Sequence, residues 1–577
     1  MNRDNINPII KLDYPDPDII RVDNTYYMVS TTMYFMPGCE ILRSYDLVHW
    51  EHATYVYDRL DSTPAQRLEG KENIYGQGMW AASLRYHEGV FYICFVCNDT
   101  HKTYIYQSKD ITGPWEKYNL KGFYHDNSIL FDDGGKIYIV SGNKDIYINE
   151  LKMIDKASVS SLPNYKELIP DNGISTVLTD IVPDANKQSH LPGAVSVSES
   201  ERLIVSDSDD VYLGYEGAHF YKINGKYYLF FIHMPKSIGK RTEAVFVSDN
   251  PYGPYVGKDV MYDDRGYRGS GVAQGGIVES PSGKWYSILF QDSGAVGRIP
   301  VLMPVTWDKS SPFPVFGDNG KIPEEFEIED LNPGYIYTPL VGSDDFHNSN
   351  VNREQEVNNN SQASEYDSFG FKSRWQFNHE PDLSLIKRDT AKGTVTITTD
   401  KLCDNLVQAR NVLTQRTLFP DCSCSIDVDA SNLKDGDYAG LCILESNYCF
   451  IGVTKRADKF YLVQGNREIT TGGFWGERHD TESFEEKECI ELASPRVTLY
   501  SLICYAGSIE DDTALFGYRY SSPEAQSPDQ SEADPQKFGV INKLQFKLDH
   551  FTGARFGLFI YSTKEAGGSA SFSNFVY

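Results

Sequence analysis

The chain has 577 residues, 13% of them aromatic, and its 54 basic against 81 acidic side chains give a formal net charge of −27. This length is too great for one hydrophobic core and predicts two or three domains. The acidic balance argues against a nucleic-acid partner, because phosphate groups would be repelled. No stretch approaches about 18 uninterrupted apolar residues, so neither a transmembrane helix nor a membrane partner is expected.

The N-terminal residues and the cysteines bear on the compartment. The first residues, MNRDNINPII, contain no apolar run of the length that a signal peptide needs. Ten cysteines are too sparse for a disulfide framework. Cys94 and Cys97 lie three residues apart in an apolar strand pattern, FYICFVCN, which indicates core thiols on opposite faces. We therefore expect a cytoplasmic protein, an expectation that a leader trimmed from the sequence would change.

The first notable motif is DYPDPDII, which places three aspartates within six residues. Two prolines flank Asp16 and restrict the backbone on both sides of it. Such a setting favours a carboxylate held in one position for chemistry. Asp13 and Asp18 are expected to be turn and surface residues, as aspartate beside proline usually is.

A strand–turn–strand unit recurs through the first half of the chain. Its mark is a short turn, a residue pair ending in tyrosine and an apolar strand, as in NTYYMVST, GVFYICFV, GKIYIVSG, GKYYLFFI and GKWYSILF. Helical periodicity is nearly absent from this region. Five such units predict an all-β fold that begins with a five-bladed β-propeller, because each blade is one sheet that packs against its neighbours.

The repeat also places five polar or aromatic residues at one register. Counting twelve residues back from the tyrosine, or eleven in the first unit, reaches Asp16, Trp80, Asp126, Glu216 and Gln274. The inner strands of a propeller line its central channel, so one shared register forms a ring at one mouth of that channel. Three carboxylates, an indole and an amide around a small opening suit a bound sugar.

Three carboxylates around a sugar indicate glycoside hydrolysis. This reaction needs a carboxylic acid to protonate the leaving oxygen and a carboxylate to activate water or to attack carbon. A third acid can tune the proton donor, because crowded like charges raise a pKa. Blades one and four are not adjacent in a ring of five, which favours the wide carboxylate separation of an inverting enzyme.

Several motifs, in order, resemble glycoside hydrolase family 43, in particular its β-xylosidase and α-L-arabinofuranosidase branch. They are NPIIKLDYPDPDIIRV, MWAASLRYH, HDNSILFDDGG, YEGAHFYKINGKYYLFF and GRIPVLMPVTW, and the resemblance covers nearly the whole chain. It implies a five-bladed, inverting, exo-acting enzyme that needs no cofactor. It also implies that Asp16 is the general base, Asp126 the pKa modulator and Glu216 the general acid.

The same resemblance implies substrate-binding residues. Phe35 and Trp80 would be apolar walls of a single-sugar pocket, Ala81 would offer backbone contacts, and Arg298 would hydrogen-bond the pentose. Many relatives carry a blade-five histidine, linked through water to a central metal ion, where this chain has Gln274. Glutamine is a weak metal ligand, so we predict no metal-ligating residues and an amide contact to substrate, while a structural calcium is left open.

The second half of the chain predicts a separate β-rich domain. We place the propeller catalytic domain at residues 1–320, a Pro- and Gly-rich connector at 321–342 and an accessory domain at 343–577. By resemblance, the accessory domain is a concanavalin A-like β-sandwich that packs beside the pocket. Phe474 and Trp475, in GGFWGER, are equally consistent with pocket and with sandwich surface.

The predicted function is exo-acting, inverting release of terminal L-arabinofuranose, D-xylose or both from plant arabino-xylo-oligosaccharides. One alternative is a non-catalytic carbohydrate-binding propeller. Another is a retaining, fructosidase-like propeller hydrolase, whose Asn-Asp-Pro-Asn-Gly and Arg-Asp-Pro signatures do not occur here. The sequence does not show which of the two pentoses or which linkage the protein prefers, and it leaves homo-oligomerisation open.

Overall fold

The computed structural model describes residues 2–4, 6–120, 122–154, 182–183, 193–196, 201–308, 310–347, 366–468, 483–505, 512–520 and 534–577. Across these residues the secondary structure is strands, with three short 3-10 turns at Gly294–Val296, Leu383–Leu385 and Leu406–Gln408. No helix within these ranges has the length and apolarity needed to cross a lipid bilayer. The all-β prediction is therefore confirmed.

The N-terminal half forms five antiparallel sheets, the blades of a β-propeller. Blade one contains β2 (Asp18–Val22), β3 (Thr25–Ser30), β4 (Gly38–Ser44) and β5 (Glu51–Tyr57). Blade two contains β6 (Met79–His87), β7 (Val90–Cys97), β8 (Lys102–Ser108), β9 (Glu116–Leu120) and β13 (Val182–Pro183). Blade three contains β10 (Ser128–Phe131), β11 (Ile137–Asn143), β12 (Asp145–Ile154), β14 (Gly193–Ser196) and β15 (Arg202–Ser206).

The remaining blades and an outer ribbon complete this domain. Blade four contains β16 (Val211–Ile223), β17 (Lys226–Pro235), β18 (Thr242–Ser248) and β19 (Val256–Met261). Blade five contains β20 (Val272–Glu279), β21 (Trp285–Asp292), β22 (Arg298–Trp307) and β23 (Pro314–Phe316). The ribbon pairs β1 (Asn2–Asp4) with β24 (Glu325–Glu327). The first strands of the blades, β2, β6, β10, β16 and β20, contact one another in a closed ring.

The repeated unit found in the sequence is the hairpin that opens each blade. In blade four the hairpin turns at Asn224 and Gly225, both with positive φ, as a two-residue type I′ turn requires. The second strand that follows is almost wholly buried, because neighbouring blades cover both of its faces. Cys94 and Cys97 lie in such a strand and belong to different hydrophobic clusters, as expected for core thiols on opposite faces.

The C-terminal half is a sandwich of two seven-stranded antiparallel sheets. One sheet contains β25 (Gln376–Phe377), β28 (Leu413–Arg416), β37 (Arg555–Ser562), β30 (Asp437–Leu444), β31 (Cys449–Arg456), β32 (Lys459–Asn466) and β33 (Glu485–Leu492). The other contains β26 (Ile386–Asp389), β27 (Thr394–Thr398), β38 (Ser569–Val576), β29 (Asp421–Asp429), β34 (Arg496–Cys504), β35 (Thr513–Tyr520) and β36 (Gln536–Lys543). Alternate residues of β29 are buried, as a strand with one covered face requires.

The two domains share a hydrophobic cluster and are joined by buried ion pairs. Arg416 of the sandwich lies 2.8 Å from Glu40 of blade one. Burial alone would raise the pKa of Glu40, but Arg416 and His52 lower it to about 2. A second pair, Arg268 with Asp512, has both side chains fully buried. Because removal of one partner from a buried pair typically costs about 3–5 kcal/mol, these contacts fix the sandwich against the propeller.

Candidate active site

The five residues of the predicted ring lie together. Asp16, Trp80, Asp126, Glu216 and Gln274 all line one cavity of about 430 Å³. They come from five different blades, so the shared register does bring them to one cavity. A cavity of this size is within the usual range for a small-molecule site.

The backbone at the ring positions explains how side chains from strands point into the channel. Asp16, Asp126 and Gln274 have φ values of 51°, 45° and 61°, and Gly217, next to Glu216, has 64°. The strand pairing is irregular at Glu216 and at Gln274. Bulges of this kind redirect a side chain, and left-handed non-glycine residues store strain of about 1–3 kcal/mol that typically marks functional positions.

Asp16 is held by two side-chain hydrogen bonds. Thr31 Oγ1 donates to Oδ2 at 2.7 Å, and Arg298 Nη1 donates to Oδ1 at 2.8 Å. Burial raises the pKa of Asp16, the Arg298 guanidinium opposes that rise, and Asp126 adds to it. The result is a fixed carboxylate that depends on Arg298 to stay ionised, which suits a general base.

This dependence gives a pH prediction. The carboxylate of a base must be ionised, so kcat/KM should fall as the pH drops through the raised pKa of Asp16. Arg298→Met removes the charge that lowers this pKa, and the acid limb of the kcat/KM profile should move to higher pH. Arg298→Lys keeps the charge and should leave the limb near its original position, whatever it does to substrate binding. If the acid limb of the Arg298→Met profile, measured in the same buffers, stays where it is in wild type, Arg298 does not lower the pKa of the catalytic base.

Asp126 contacts the backbone beside Glu216. Its Oδ2 accepts a hydrogen bond from the Gly217 N–H at 3.0 Å, which ties blade three to the bulge of blade four. Burial raises the pKa of Asp126, His125 lowers it and Glu216 raises it. Asn143 Nδ2 donates to Glu216 Oε2 at 2.5 Å. These contacts allow Asp126 to orient Glu216 through the backbone as well as by charge.

His125 lies between the two acids, with Nε2 3.8 Å from Asp126 Oδ2 and 3.9 Å from Glu216 Oε2. Burial alone would lower the pKa of His125, but Asp126 and Glu216 raise it to about 9. The three groups are close enough to hold a metal ion, with ligand atoms within 4.8 Å of one another. In this structure Asp126 accepts the Gly217 N–H, and Glu216 accepts a hydrogen bond from the Asn143 amide.

Below the ring, an ion pair fills the propeller axis. Asp18 is fully buried, and its Oδ2 accepts hydrogen bonds from Arg85 Nη1 at 2.6 Å and Leu84 N–H at 2.8 Å. Arg85 also donates to Ser128 Oγ at 2.7 Å. Burial alone would raise the pKa of Asp18, but Arg85 and His219 lower it to about 2. The expectation that Asp18 is a surface residue is therefore wrong, because the inner strands of neighbouring blades enclose it.

The corresponding expectation for Asp13 is also wrong. Asp13 is buried, and its two oxygens accept hydrogen bonds from the backbone N–H of Arg298 at 2.7 Å and of Gly553 at 2.8 Å. It therefore connects blades one and five to the sandwich. All three aspartates of DYPDPDII are buried: Arg298 binds Asp13 through its backbone and Asp16 through its guanidinium, and Arg85 binds Asp18.

The axis residues do not fit a central calcium ion at this layer. The Arg85 guanidinium already supplies positive charge beside Asp18, and the blade-five position holds the weak amide ligand Gln274. We expect EDTA to leave the thermal midpoint and the activity unchanged. Arg85→Met should lower the midpoint, measured by differential scanning fluorimetry, and added calcium should not restore it. A fall in the wild-type midpoint with EDTA would contradict this prediction.

The sandwich contributes part of the cavity wall, which the sequence left undecided. Leu548 and Phe551, from the segment between β36 and β37, line the cavity. The Phe551 ring lies 5.6 Å from Trp80 and 4.4 Å from the Arg298 guanidinium carbon. The Ala554 N–H donates to Ala295 O at 2.8 Å and anchors the end of this segment on blade five.

Two of the predicted binding residues do not line the cavity. Phe35 is completely buried, and the Arg555 guanidinium carbon lies 3.4 Å from the centre of its ring. Strand β37 of the sandwich therefore covers Phe35, which corrects its assignment as a pocket wall. Ala81 is only partly buried but is not among the cavity-lining residues, since the bulge between Met79 and Ala82 presents Trp80 instead. Trp80, Gln274 and Arg298 do line it.

Gln274 is positioned by its backbone and by a glycine. Its N–H donates to Glu243 Oε2 at 2.9 Å. A Cβ at Gly217 would lie 2.4 Å from Gln274 Cδ, so only glycine there lets the amide side chain lie across the bulge.

Phe474 and Trp475, whose location the sequence left open, are outside the described residues.

A five-bladed propeller with three carboxylates and an indole around one cavity is the arrangement of a carbohydrate-active protein. The family model of glycosyl hydrolases family 43 matches residues 6–312, and that of the β-xylosidase C-terminal concanavalin A-like domain matches residues 363–577. The chain therefore belongs to glycoside hydrolase family 43, and its second domain is the concanavalin A-like sandwich, both as the sequence motifs predict.

The chain is also similar to individual proteins of known name. The chain is 25% identical to a β-xylosidase of Formosa agariphila, over 99% of this chain and 90% of that protein. It is 27% identical to a non-reducing end α-L-arabinofuranosidase of Bacteroides ovatus, over 59% of this chain and 58% of that protein. A solved bifunctional GH43-CE structure from Bacteroides eggerthii superposes with a TM-score of 0.79 at 34% identity, and the chain spans 64% of that longer protein.

Proposed function

We propose that this protein is an exo-acting, inverting glycoside hydrolase. Its substrates would be terminal α-L-arabinofuranosyl or β-D-xylosyl residues, or both, on plant hemicellulose oligosaccharides. The observation that carries the proposal is the convergence of Asp16, Asp126 and Glu216, from three blades, on one small cavity. A ring of this kind around a bound sugar matches the acid and base requirements of glycosidic hydrolysis.

The contacts of each acid support a division of roles. Asp16, held by Thr31 and Arg298, would take a proton from the attacking water. Glu216 would donate its proton to the oxygen of the leaving group. Asp126, bonded to the N–H that follows Glu216, would hold the proton donor in position and tune it.

The shape of the cavity supports exo action. Leu548 and Phe551 of the sandwich line it, with Phe551 beside Trp80 and Arg298, and a wall at this place would stop a polysaccharide chain from running straight through. A pocket closed in this way takes a terminal sugar and leaves the rest of the substrate outside. The relatives carry the names of both a β-xylosidase and an α-L-arabinofuranosidase, so both pentoses belong to the proposal.

Hydrolysis of 4-nitrophenyl α-L-arabinofuranoside and 4-nitrophenyl β-D-xylopyranoside tests the proposal. We expect release of 4-nitrophenol from at least one of them, and proton NMR of the first product should show the inverted anomer. A retained anomer would reject the inverting mechanism. Binding of arabinoxylan oligosaccharides by calorimetry, with no hydrolysis of either substrate, would instead support a carbohydrate-binding propeller.

A further inference from the structure

The first two strands of blade four continue past the catalytic ring. Glu216 pairs with Ile232, and beyond them Leu213 pairs with Met234 and Val211 with Pro235. This two-stranded extension, which we call the blade-four ribbon (residues 211–215 and 233–235), has irregular pairing at two places. Bulges bend a ribbon and increase its twist, and they allow successive residues to face the same space.

The blade-four ribbon presents apolar side chains to the cavity mouth. Tyr212, Leu213 and Met234 all line the cavity. Tyr212 is 64% exposed, more than any other aromatic among the exposed large hydrophobic side chains of the described residues. An aromatic ring that is both solvent-exposed and part of a cavity wall offers a flat apolar face with a polar tip, which suits contact with a sugar ring.

The position of the acid sets the direction in which the leaving group must lie. Glu216 protonates the oxygen that joins the terminal sugar to the next one. That next sugar must therefore lie on the side of the cavity where Glu216 is. Phe551 and Arg298 line the cavity next to each other, Phe551 beside Trp80 and Arg298 on the Asp16 carboxylate. Tyr212 is four residues from Glu216 on the same strand, a separation of at most about 13 Å at roughly 3.3 Å per residue. This distance is within reach of the first sugars of a leaving group.

We propose that Tyr212 is a specificity-determining residue that stacks against a sugar on the leaving-group side of the scissile bond. This inference rests on the proposed function. It identifies the preferred substrate class as oligosaccharides with at least one sugar beyond the cleaved pentose. Simple glycosides with a small leaving group do not reach the blade-four ribbon and gain nothing from it.

The test compares Tyr212→Ala with wild type on matched substrate pairs: xylobiose with methyl β-D-xylopyranoside, and α-1,5-L-arabinobiose with methyl α-L-arabinofuranoside. We expect kcat/KM on the cleaved disaccharide to fall about tenfold, mainly through KM, and kcat/KM on the corresponding methyl glycoside to stay within about twofold. Tyr212→Phe keeps the ring and should retain most of the disaccharide activity. Tyr262→Ala, a tyrosine that is 53% exposed but outside the cavity lining, is the matched control and should change neither substrate.

The outcomes separate this inference from the proposed function. If Tyr212→Ala loses kcat/KM equally on the disaccharide and the methyl glycoside of a pair, or loses none on the disaccharide, the role of Tyr212 is overturned. The proposed hydrolase function is unaffected by either result. A wild-type protein that cleaves none of the four substrates would overturn the proposed function, and the leaving-group contact with it. A tenfold loss in Tyr212→Phe would reject stacking, because the ring is unchanged.

Discussion

Replacement of Asp16 by asparagine should lower kcat by a factor of about 10²–10⁴, because an amide cannot accept the proton of the attacking water. The amide has the same shape as the carboxylate, so its oxygen can still accept a hydrogen bond from Thr31 or Arg298. The fold should persist with a lowered thermal midpoint, since burial disfavours the charge that the substitution removes but the buried Arg298 loses its ionic partner. The measurement is kcat on the better nitrophenyl pentoside, with circular dichroism and a thermal midpoint for the fold.

Asp132→Asn is a suitable control for this variant. Asp132 belongs to the same motif as Asp126 but pairs with Lys222 and Tyr227 outside the cavity. We expect its kcat to stay within about twofold of wild type. An Asp16→Asn protein that is folded and fully active would remove Asp16 from the mechanism.

Replacement of Glu216 by glutamine should have an effect that depends on the leaving group. A sugar or alkyl leaving group needs a proton from the acid, so kcat/KM on a disaccharide should fall by about 10²–10⁴. A 2,4-dinitrophenolate leaves without a proton, so the 2,4-dinitrophenyl pentoside should lose far less. The measurement is the ratio of the two kcat/KM values in wild type and in the variant.

The two substitutions should give different patterns of loss on the two substrates, so each variant tests the role assigned to the other residue. Asp16→Asn removes the activation of water, which every leaving group requires, so its losses should be similar on both substrates. If Glu216→Gln also loses kcat/KM equally on both substrates, Glu216 is not the proton donor. If Asp16→Asn spares the dinitrophenyl substrate, the two roles are exchanged.

The ring of polar residues could be predicted from the sequence because it is a property of the repeat. Each blade has the same hairpin, and a fixed offset from its tyrosine reaches the same place in every blade. Asp16, Asp126 and Glu216 therefore appear without any knowledge of long-range contacts. The positive φ values at Asp16 and Asp126 are consistent with aspartate's tolerance of that region, which is the local signal that the sequence does carry.

The parts that the sequence did not predict depend on contacts between distant segments. Phe551 lines the cavity only because the sandwich packs against the propeller. The same packing keeps Phe35 out of the cavity lining, since β37 covers its ring. Asp18 has the turn propensity of any aspartate beside proline, but its burial depends on Arg85 in the next blade. Neither strand periodicity nor turn chemistry contains this information.

The buried Arg268–Asp512 pair has a consequence for how the protein fails on heating. Arg268 precedes Gly269, Ser270 and Gly271, which border the sugar cavity, and Asp512 belongs to the other domain. Asp512 also accepts the Ala295 N–H at 2.7 Å. Slight separation of the domains would therefore disorganise the pocket while every sheet stays intact. Thermal inactivation should precede loss of the β-sheet circular dichroism signal, and engineering for heat tolerance belongs at this joint rather than inside either domain.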